Sequence, residues 1–389
     1  MEVLTNELKK QIEEVVKSVV NEVVAPLKDV QSRRVLNVEV KSPEPEKVEK
    51  GIRAARAIRA LAAARGDTQK AAYIAENVFR DGVVAKALYE SNPTAGGFIV
   101  PPQFATEIIE LLYAQAVVRK AGARVMPMNS NVLNIPKLAS GAQANYIGEN
   151  QNIPATEQRF GQITLTAKKL AALVPISNDL IRDANPRADA IVRDDLVNAM
   201  ALREDLAFLR DDGTNNKPKG ILYWTDAGNK FDANTTVTAQ NVIADLGKAV
   251  RLVRASNSKM TRCAWVFSPR TEYFLLTLVD GTGKFIFRDE MAQGKLLGYP
   301  YFVTTQIPEN LGQNGNATEI YFGDFMDAVI GENEELIIEV STEATYHDGT
   351  NLVSAFAMDQ TVIRAIARHD FALRHEKSFA VIQNVTWVA

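Results

Sequence analysis

The sequence predicts an α+β fold, and three observations carry that expectation. A long helical pattern runs from Pro186 to about Arg210, apolar strand-like runs crowd the second half of the chain, and helices and strands interleave without the steady βαβ period of a doubly wound sheet. The chain has 389 residues, 46% hydrophobic and 23% charged, which is material for two or more compact units. With a formal charge of -3, nothing in the balance calls for nucleic acid or an anionic membrane as the main partner. Cys263 is the single cysteine, so no intrachain disulfide framework is available. The start, MEVLTNELKKQIEE, lacks a basic segment followed by an apolar one, and no run approaches the ~20 apolar residues of a membrane span. Neither signal-peptide export nor membrane insertion is expected.

Residues 4 to 30 carry Leu4, Leu8, Ile12, Val15, Val19, Val23, Leu27 and Val30 at helical spacing. They read either as a surface helix or as a self-association segment, with Pro26 weakening a continuous rod. KSPEPEKVE, residues 41 to 49, has the composition of a linker. Gly51 to Arg65 is helical again, with Arg53, Arg56 and Arg59 three residues apart. Such a face is solvated or acid-paired, or meets nucleic acid. A further helix is expected over residues 68 to 90, and SNPTAGGFIVPPQF then breaks the pattern with three prolines and two adjacent glycines. Helix resumes from Phe104 to Val118.

Leu133 and Ile135 alternate as a strand, with Ile163, Leu165 and Ala167 as its return. Leu170, Ala172, Val174 and Ile176 sit on the other parity, which predicts a bulge or bend near Lys168 and Lys169. The small and polar residues between Lys137 and Phe160 cannot build a core, so they form a surface loop or an arm that reaches across to a neighbouring copy.

The long helix has Asn185 as N-cap and Pro186 at the first helical position, where a missing N–H costs nothing. Val192, Leu196, Ala199, Leu202, Leu206 and Leu209 predict its buried stripe, with Arg193, Asp194, Asn198, Arg203 and Asp205 mostly elsewhere. At ~1.5 Å per residue it is roughly 37 Å long. DDGTNNKPKGI, residues 211 to 221, ends it in turns. Asn241 to Arg254 is helical, and CAWVFS, the turn at Pro269 and Arg270, and TEYFLLTLV read as strand, turn and helix. Strands dominate the remainder.

Motifs of chemistry are weak. DGTGKF at 280 to 285 lacks phosphate-loop spacing and places Phe285 where Ser or Thr would hold magnesium, so it reads as a hairpin turn. DDGTNN lacks the ligand spacing of a calcium loop. His369 and His375 lie beside Asp370 and Glu376, but a separation of six fits neither one helix face nor a zinc motif. Cys263 sits in an apolar strand, where a thiol is inert. There is no nucleophile elbow. No catalytic, cofactor-binding or metal-binding residue is assigned.

TAGGFIVP at 94 to 101, ISNDLIRDANP before the long helix, DGTNNKPKGI after it, FSPRTEYFLLTLVDGTGKFIF at 267 to 287, GKLLGYPYFVTTQIP at 294 to 308 and YFGDF at 321 to 325 occur in one order. Over residues 87 to 389 that order resembles the major capsid proteins of tailed bacteriophages with the HK97 fold. The resemblance implies a helical, delta-like scaffolding segment at 1 to 86, an N-terminal arm at 87 to 127 and an extended E-loop at 128 to 176. It further implies a peripheral domain with its spine helix at 177 to 234, an axial domain at 235 to 345, and peripheral C-terminal strands at 346 to 389. Maturation cleavage is implied near Lys86 and Ala87, and E-loop contacts between neighbouring subunits are implied at Tyr146, Glu149, Asn152, Pro154 and Arg159. Where some members carry a crosslinking lysine this chain has Ile153, and the acceptor region near Thr361 has no asparagine, so no covalent crosslink is expected.

The function implied is a structural one, without a cofactor: pentamers and hexamers of an icosahedral shell around double-stranded DNA. The partners implied are a prohead protease and a portal, with no membrane, and the location is the virion capsid after assembly in the host cytoplasm. An encapsulin-type compartment shares the fold but needs no helical leader. A soluble enzyme without local motifs is the reading from another class.

Overall fold

Two β-sheets share one long helix. The computed structural model describes residues 49–90, 101–140, 159–182 and 186–387. Three helices come first, α1 (Ile52–Ala63), α2 (Thr68–Asn77) and α3 (Gly82–Glu90), then α4 (Pro102–Gln115) and the short α5 (Val117–Lys120). Next are β1 (Arg124–Pro127), the hairpin β2 (Val132–Ser140) and β3 (Arg159–Thr166), β4 (Lys168–Ser177), α6 (Asn178–Arg182) and the long α7 (Pro186–Arg210). The second half contains α8 (Ile221–Trp224), β5 (Lys230–Asp232), α9 (Ala239–Ala255), β6 (Cys263–Phe267), α10 (Pro269–Thr277) and α11 (Arg288–Met291). It ends with β7 (Lys295–Leu296), β8 (Tyr299–Val303), β9 (Thr318–Asp324), β10 (Ala328–Ser341), β11 (Thr345–His347), β12 (Leu352–Ser354), β13 (Gln360–Leu373) and β14 (Phe379–Val385). The helix expected over residues 4 to 30 and nearly all of the 41 to 49 linker lie outside the described residues.

Local signals explain the early boundaries. The single helix expected over 68 to 90 is two helices, because Asp81 accepts a hydrogen bond from the Val84 N–H and so caps a new start, while Arg80 takes φ 53. Asp67 caps α2 in the same way, accepting from the Gln69 and Lys70 N–H groups. The arginine face is neither solvated nor a free basic stripe. Arg59 is 0% exposed and donates to the carbonyls of Leu180 and Ile181, and Arg56 pairs with Asp81 at 2.9 Å. Ala54, Ile58, Leu61, Ala72 and Leu88 thereby join one core with Ile108, Leu112, Leu196, Ile338 and Ile363.

The first sheet has the order β1-β10-β13-β4. Alternate residues of β10 and β13 serve opposite faces. Ile330 and Phe371 pack with the end of α7, whereas Val329 and Ala372 pack under the root of the β2–β3 hairpin with Met128, Ile135, Ile163 and Leu165. The hairpin register pairs Leu133 with Leu165 and Ile135 with Ile163. Of the bulge or bend expected near Lys168 and Lys169 the chain takes the bend: it breaks at Ala167, whose N–H donates to Asn131 O, and β4 leaves the hairpin to pair with β13. A break changes the parity of the apolar positions as a bulge does, so the sequence could not separate them.

The second sheet runs β5-β14-β9-β6-β8-β7. Trp265, Phe267, Ile320, Phe322 and Ile382 face α9, α10 and α11, while Val266, Tyr321 and Val381 face the end of α7. The expected domain limits of 235 to 345 and 346 to 389 cut across this pairing. β10 belongs to the first sheet through β13, and β14 belongs to the second through β9, because antiparallel partners far apart in sequence decide sheet membership.

On α7 the predicted stripe is displaced. Leu202 is 45% exposed and Ala199 is exposed, whereas Glu204 and Asp205 are buried beside Val197, Met200, Ala201 and Phe208. Asn185 lies outside the described residues. The stop after Arg210 is a close approach. A Cβ on Gly220 would lie 2.5 Å from Arg210 N and 2.7 Å from Leu209 C. The intervening turn uses positive φ at Gly213, Asn215 and Asn216, and Asp212 bridges to Lys219.

Candidate functional site

The strongest concentration of interacting polar groups lies where α5, α7, β10 and β13 meet. After α4 the chain bends at Ala116, whose extended backbone starts α5. Both carboxylate oxygens of Asp205 accept from that start, from Val117 N at 3.0 Å and Val118 N at 3.2 Å. Arg119 then reaches inward: its Nε donates to Glu204 at 2.5 Å and its two terminal nitrogens to Glu332 at 3.2 Å each. One guanidinium ties α5 to α7 and to β10, with all three side chains under 10% exposed.

The electrostatics follow from burial. Burial alone would lower the Arg119 pKa, but the carboxylates of Glu204 and Glu332 raise it above its usual range. Asp205 is pushed up to about 6 by burial, against the opposing pull of the Val117 and Val118 N–H groups. His369 is pushed down to about 4 by burial and then by the Arg119 charge, with Phe208 edge-on at 5.1 Å. Burying a charge this way demands a complete set of partners, and the triad has it. The carboxylates of Glu204, Glu332 and Asp205 are held by the Arg119 guanidinium or by backbone N–H groups, so the arrangement is a clamp.

A polar cleft of about 660 Å³ lies at the hairpin root, lined among others by Lys137, Asp226, Lys259, Asp324, Arg374 and Glu376. Lys137 pairs with Glu376 at 3.5 Å, and Asp324 accepts from the Thr261 and Arg262 N–H groups. These are mutual ties and leave no nucleophile and base in register. Among the described residues no group of three His, Cys, Asp or Glu is placed to hold a metal ion, and no helix is long and apolar enough to cross a membrane. His375 lies in the cleft wall, whereas His369 is buried in the clamp, so the two histidines serve different sites. Burial, with the nearby Asp324 charge, pushes the Cys263 thiol up to about 12. DGTGKF is a tight turn in which Asp280 accepts from the Thr282 and Lys284 N–H groups and Val279 bridges to Phe285.

The sites named from the resemblance are scattered. Lys86 and Ala87 lie inside α3; Lys86 is exposed and 4.0 Å from Glu90, and Ala87 is buried. Tyr146, Glu149, Asn152, Ile153 and Pro154 fall outside the described residues, and Arg159 opens β3 opposite Ser140. Thr361 is buried and donates to Asn178 Oδ1 at 2.6 Å. Sequence reasoning missed Arg119, Glu204, Asp205 and Glu332. The available signal was the adjacent acidic pair in the middle of an apolar stripe, at 204 and 205.

Comparison with known proteins gives one consistent result. Residues 96–384 match the model of the Phage capsid family. The chain is 39% identical over 330 residues to the "Major capsid protein" of Klebsiella oxytoca phage phiKO2, covering 84% of this chain and 77% of that protein. It is 27% identical over 380 residues to the "Capsid polyprotein" of Pseudomonas phage PAJU2, covering 90% of this chain and 56% of that one. Among solved structures, "Capsid of native GTA particle computed with C5 symmetry" superposes with a TM-score of 0.52 at 18% identity, covering 70% of this chain and 90% of that chain.

Proposed function

Because the chain belongs to the phage capsid family, with an HK97-like fold and the structural role of a major capsid protein and not of an enzyme, we propose that it closes into pentamers and hexamers of an icosahedral shell around double-stranded DNA. The observation that carries this reading is the combination of a hairpin arm rooted on one face of the first sheet with a helical spine on the other. A subunit that meets its neighbours in many copies gains from repetition what each contact lacks in area. Phage relatives favour this reading over an encapsulin-type compartment.

Residues 1 to 86 guide procapsid assembly in the host cytoplasm, and a prohead protease cuts between Lys86 and Ala87. The relative from Pseudomonas phage PAJU2 is named a polyprotein, in keeping with a precursor that is cut. The bond lies within α3, so the protease acts on an opened α3. The hairpin arm, with Tyr146, Glu149, Asn152, Pro154 and Arg159, reaches a neighbouring copy, and the shell is not welded by isopeptide bonds. DNA is held without sequence reading, and a portal occupies one vertex.

Electron microscopy of the full-length protein tests the shell. Uniform closed particles are expected, and a persistent monomer at assembly concentration overturns it. Intact mass of subunits from mature particles is expected to start at Ala87; subunits starting at Met1 refute the cut.

A further inference from the structure

The bond proposed for the maturation cut is presented to solvent and yet closed to a protease. The Lys86 side chain is 79% exposed, but its backbone lies within α3, and Val84, Ala85, Ala87 and Leu88 around it are buried in the core shared with α4, α7 and the first sheet. Proteases act on opened chain, so the bond is cut only from a state in which α3 has come undone, and the rate follows the population of that state.

What keeps α3 closed is set at its first turn. A helix of nine residues is too short to hold itself together in water. Asp81 stands just ahead of it and serves two neighbours at once. Its Oδ1 accepts from Val84 N at 3.2 Å, capping the helix, and its Oδ2 accepts from Arg56 Nη1 of α1 at 2.9 Å. The two side chains are only 13% and 6% exposed, so the pair escapes the solvent screening that weakens surface pairs. One turn further along α1, the Arg59 guanidinium lies over the Phe79 ring at 5.0 Å, next to the turn that leads into Asp81.

The helix that supplies Arg56 is itself fastened to later elements. Gly51 N donates to Glu107 Oε2 at 2.9 Å, Arg193 donates to Lys50 O at 3.0 Å, and Arg59 donates to the carbonyls of Leu180 and Ile181 at 3.1 Å each. A Cβ on Gly51 would lie 2.6 Å from Leu111 Cδ1, so the start of α1 rests directly on α4. The closure is built in series: α4, α6 and α7 hold α1, α1 holds Asp81, and Asp81 holds α3.

We propose that the Arg56–Asp81 pair is the lock on the maturation bond, and that it opens when α1 leaves its seat on α4 and α6. The proposal rests on the reading of a cut near Lys86 and deepens it by naming what regulates that cut. The leading segment shields its own scissile bond for as long as α1 is seated, so release of α1 comes before cleavage.

The test uses the full-length chain and a lysine-specific endoprotease, which can cleave after Lys86 in α3 and after Lys70 in α2, each cut being timed by mass spectrometry. R56Q removes the pair and leaves the cap, and D81N does the same, because an asparagine oxygen still accepts from Val84 N. Each should raise the rate at Lys86 about tenfold, as the loss of a charge-assisted hydrogen bond implies, and D81A, which loses the cap as well, should exceed both. E107A touches neither Asp81 nor α3 and only loosens the seat of α1, yet it should also raise the Lys86 rate. The Lys70 cut reads general loosening, and in R56Q and D81N it should change by less than about twofold. Parental Lys86 rates in R56Q or in E107A, or an equal rise at Lys70 and Lys86 in R56Q, overturn the proposal. Should D81A not fold, R56Q and E107A decide. If the rates behave as expected while subunits of mature particles start at Met1, it is the maturation reading that fails and not the lock.

Discussion

Arg119 shows at the residue scale how much can depend on one side chain. Replacing it with Met leaves Glu204 and Glu332 buried near one another without their shared cation. The cost expected from such an orphaned pair is about 3–5 kcal/mol, read by denaturant unfolding of the unassembled protein. A triple variant that also replaces both glutamates with apolar residues should recover most of it, which would separate the value of the ion triad from the penalty of breaking it.

Two neighbours of that triad pull stability in opposite directions with pH. His369 is held at about 4 in the folded chain against an ordinary 6.5, so its contribution is complete above 6.5 and lost as pH falls towards 4. Asp205 is raised to about 6 from 3.8, so its contribution is complete below 3.8 and lost as pH rises through 6. Each is worth on the order of 3 kcal/mol. Relative to the parent, His369→Gln should therefore gain stability between pH 6 and 4, and Asp205→Asn should lose it over the same range. Parallel profiles for the two variants in chemical denaturation would contradict this.

At the element scale, the end of the spine is set by backbone contact more than by the turn residues that follow. Gly220 leaves no room for a Cβ against Arg210 N and Leu209 C. Gly220→Ala should cost about 1–3 kcal/mol by forcing the last turn of α7 away, visible as a lowered midpoint in thermal unfolding. Elements with strong local signals were legible in the sequence. The alternation of Leu133, Ile135, Ile163 and Leu165 gave the hairpin register, because a one-residue slip would turn these side chains to solvent. What could not be read depends on distant partners. Asp205 looked like a solvent-facing charge because the N–H groups that satisfy it belong to residues nearly ninety positions earlier. Membership of the sheets is of the same kind, since β10 and β13 meet only after the β11–β12 pair has intervened. The candidate site was legible as a family role and not as residues: the capsid motifs are local strings, whereas the Arg119 clamp is assembled from separate elements.

On the scale of the whole molecule, the two sheets are not beads on a string. The chain passes from the second sheet to the first at residues 325 to 327, and back at residues 374 to 378. These crossings are fastened to each other: Arg374 N donates to Asp327 O at 2.8 Å, and Ser378 Oγ donates to Asp327 Oδ2 at 2.5 Å. Two strands of chain joined side by side share a tensile load in parallel, so the sheets cannot be peeled apart one connection at a time. Stretching single molecules between handles at positions 217 and 350 should give one abrupt rupture instead of two steps, and Asp327→Ala should divide it in two. Two sheets that yield together hold a load undivided until both fail at once.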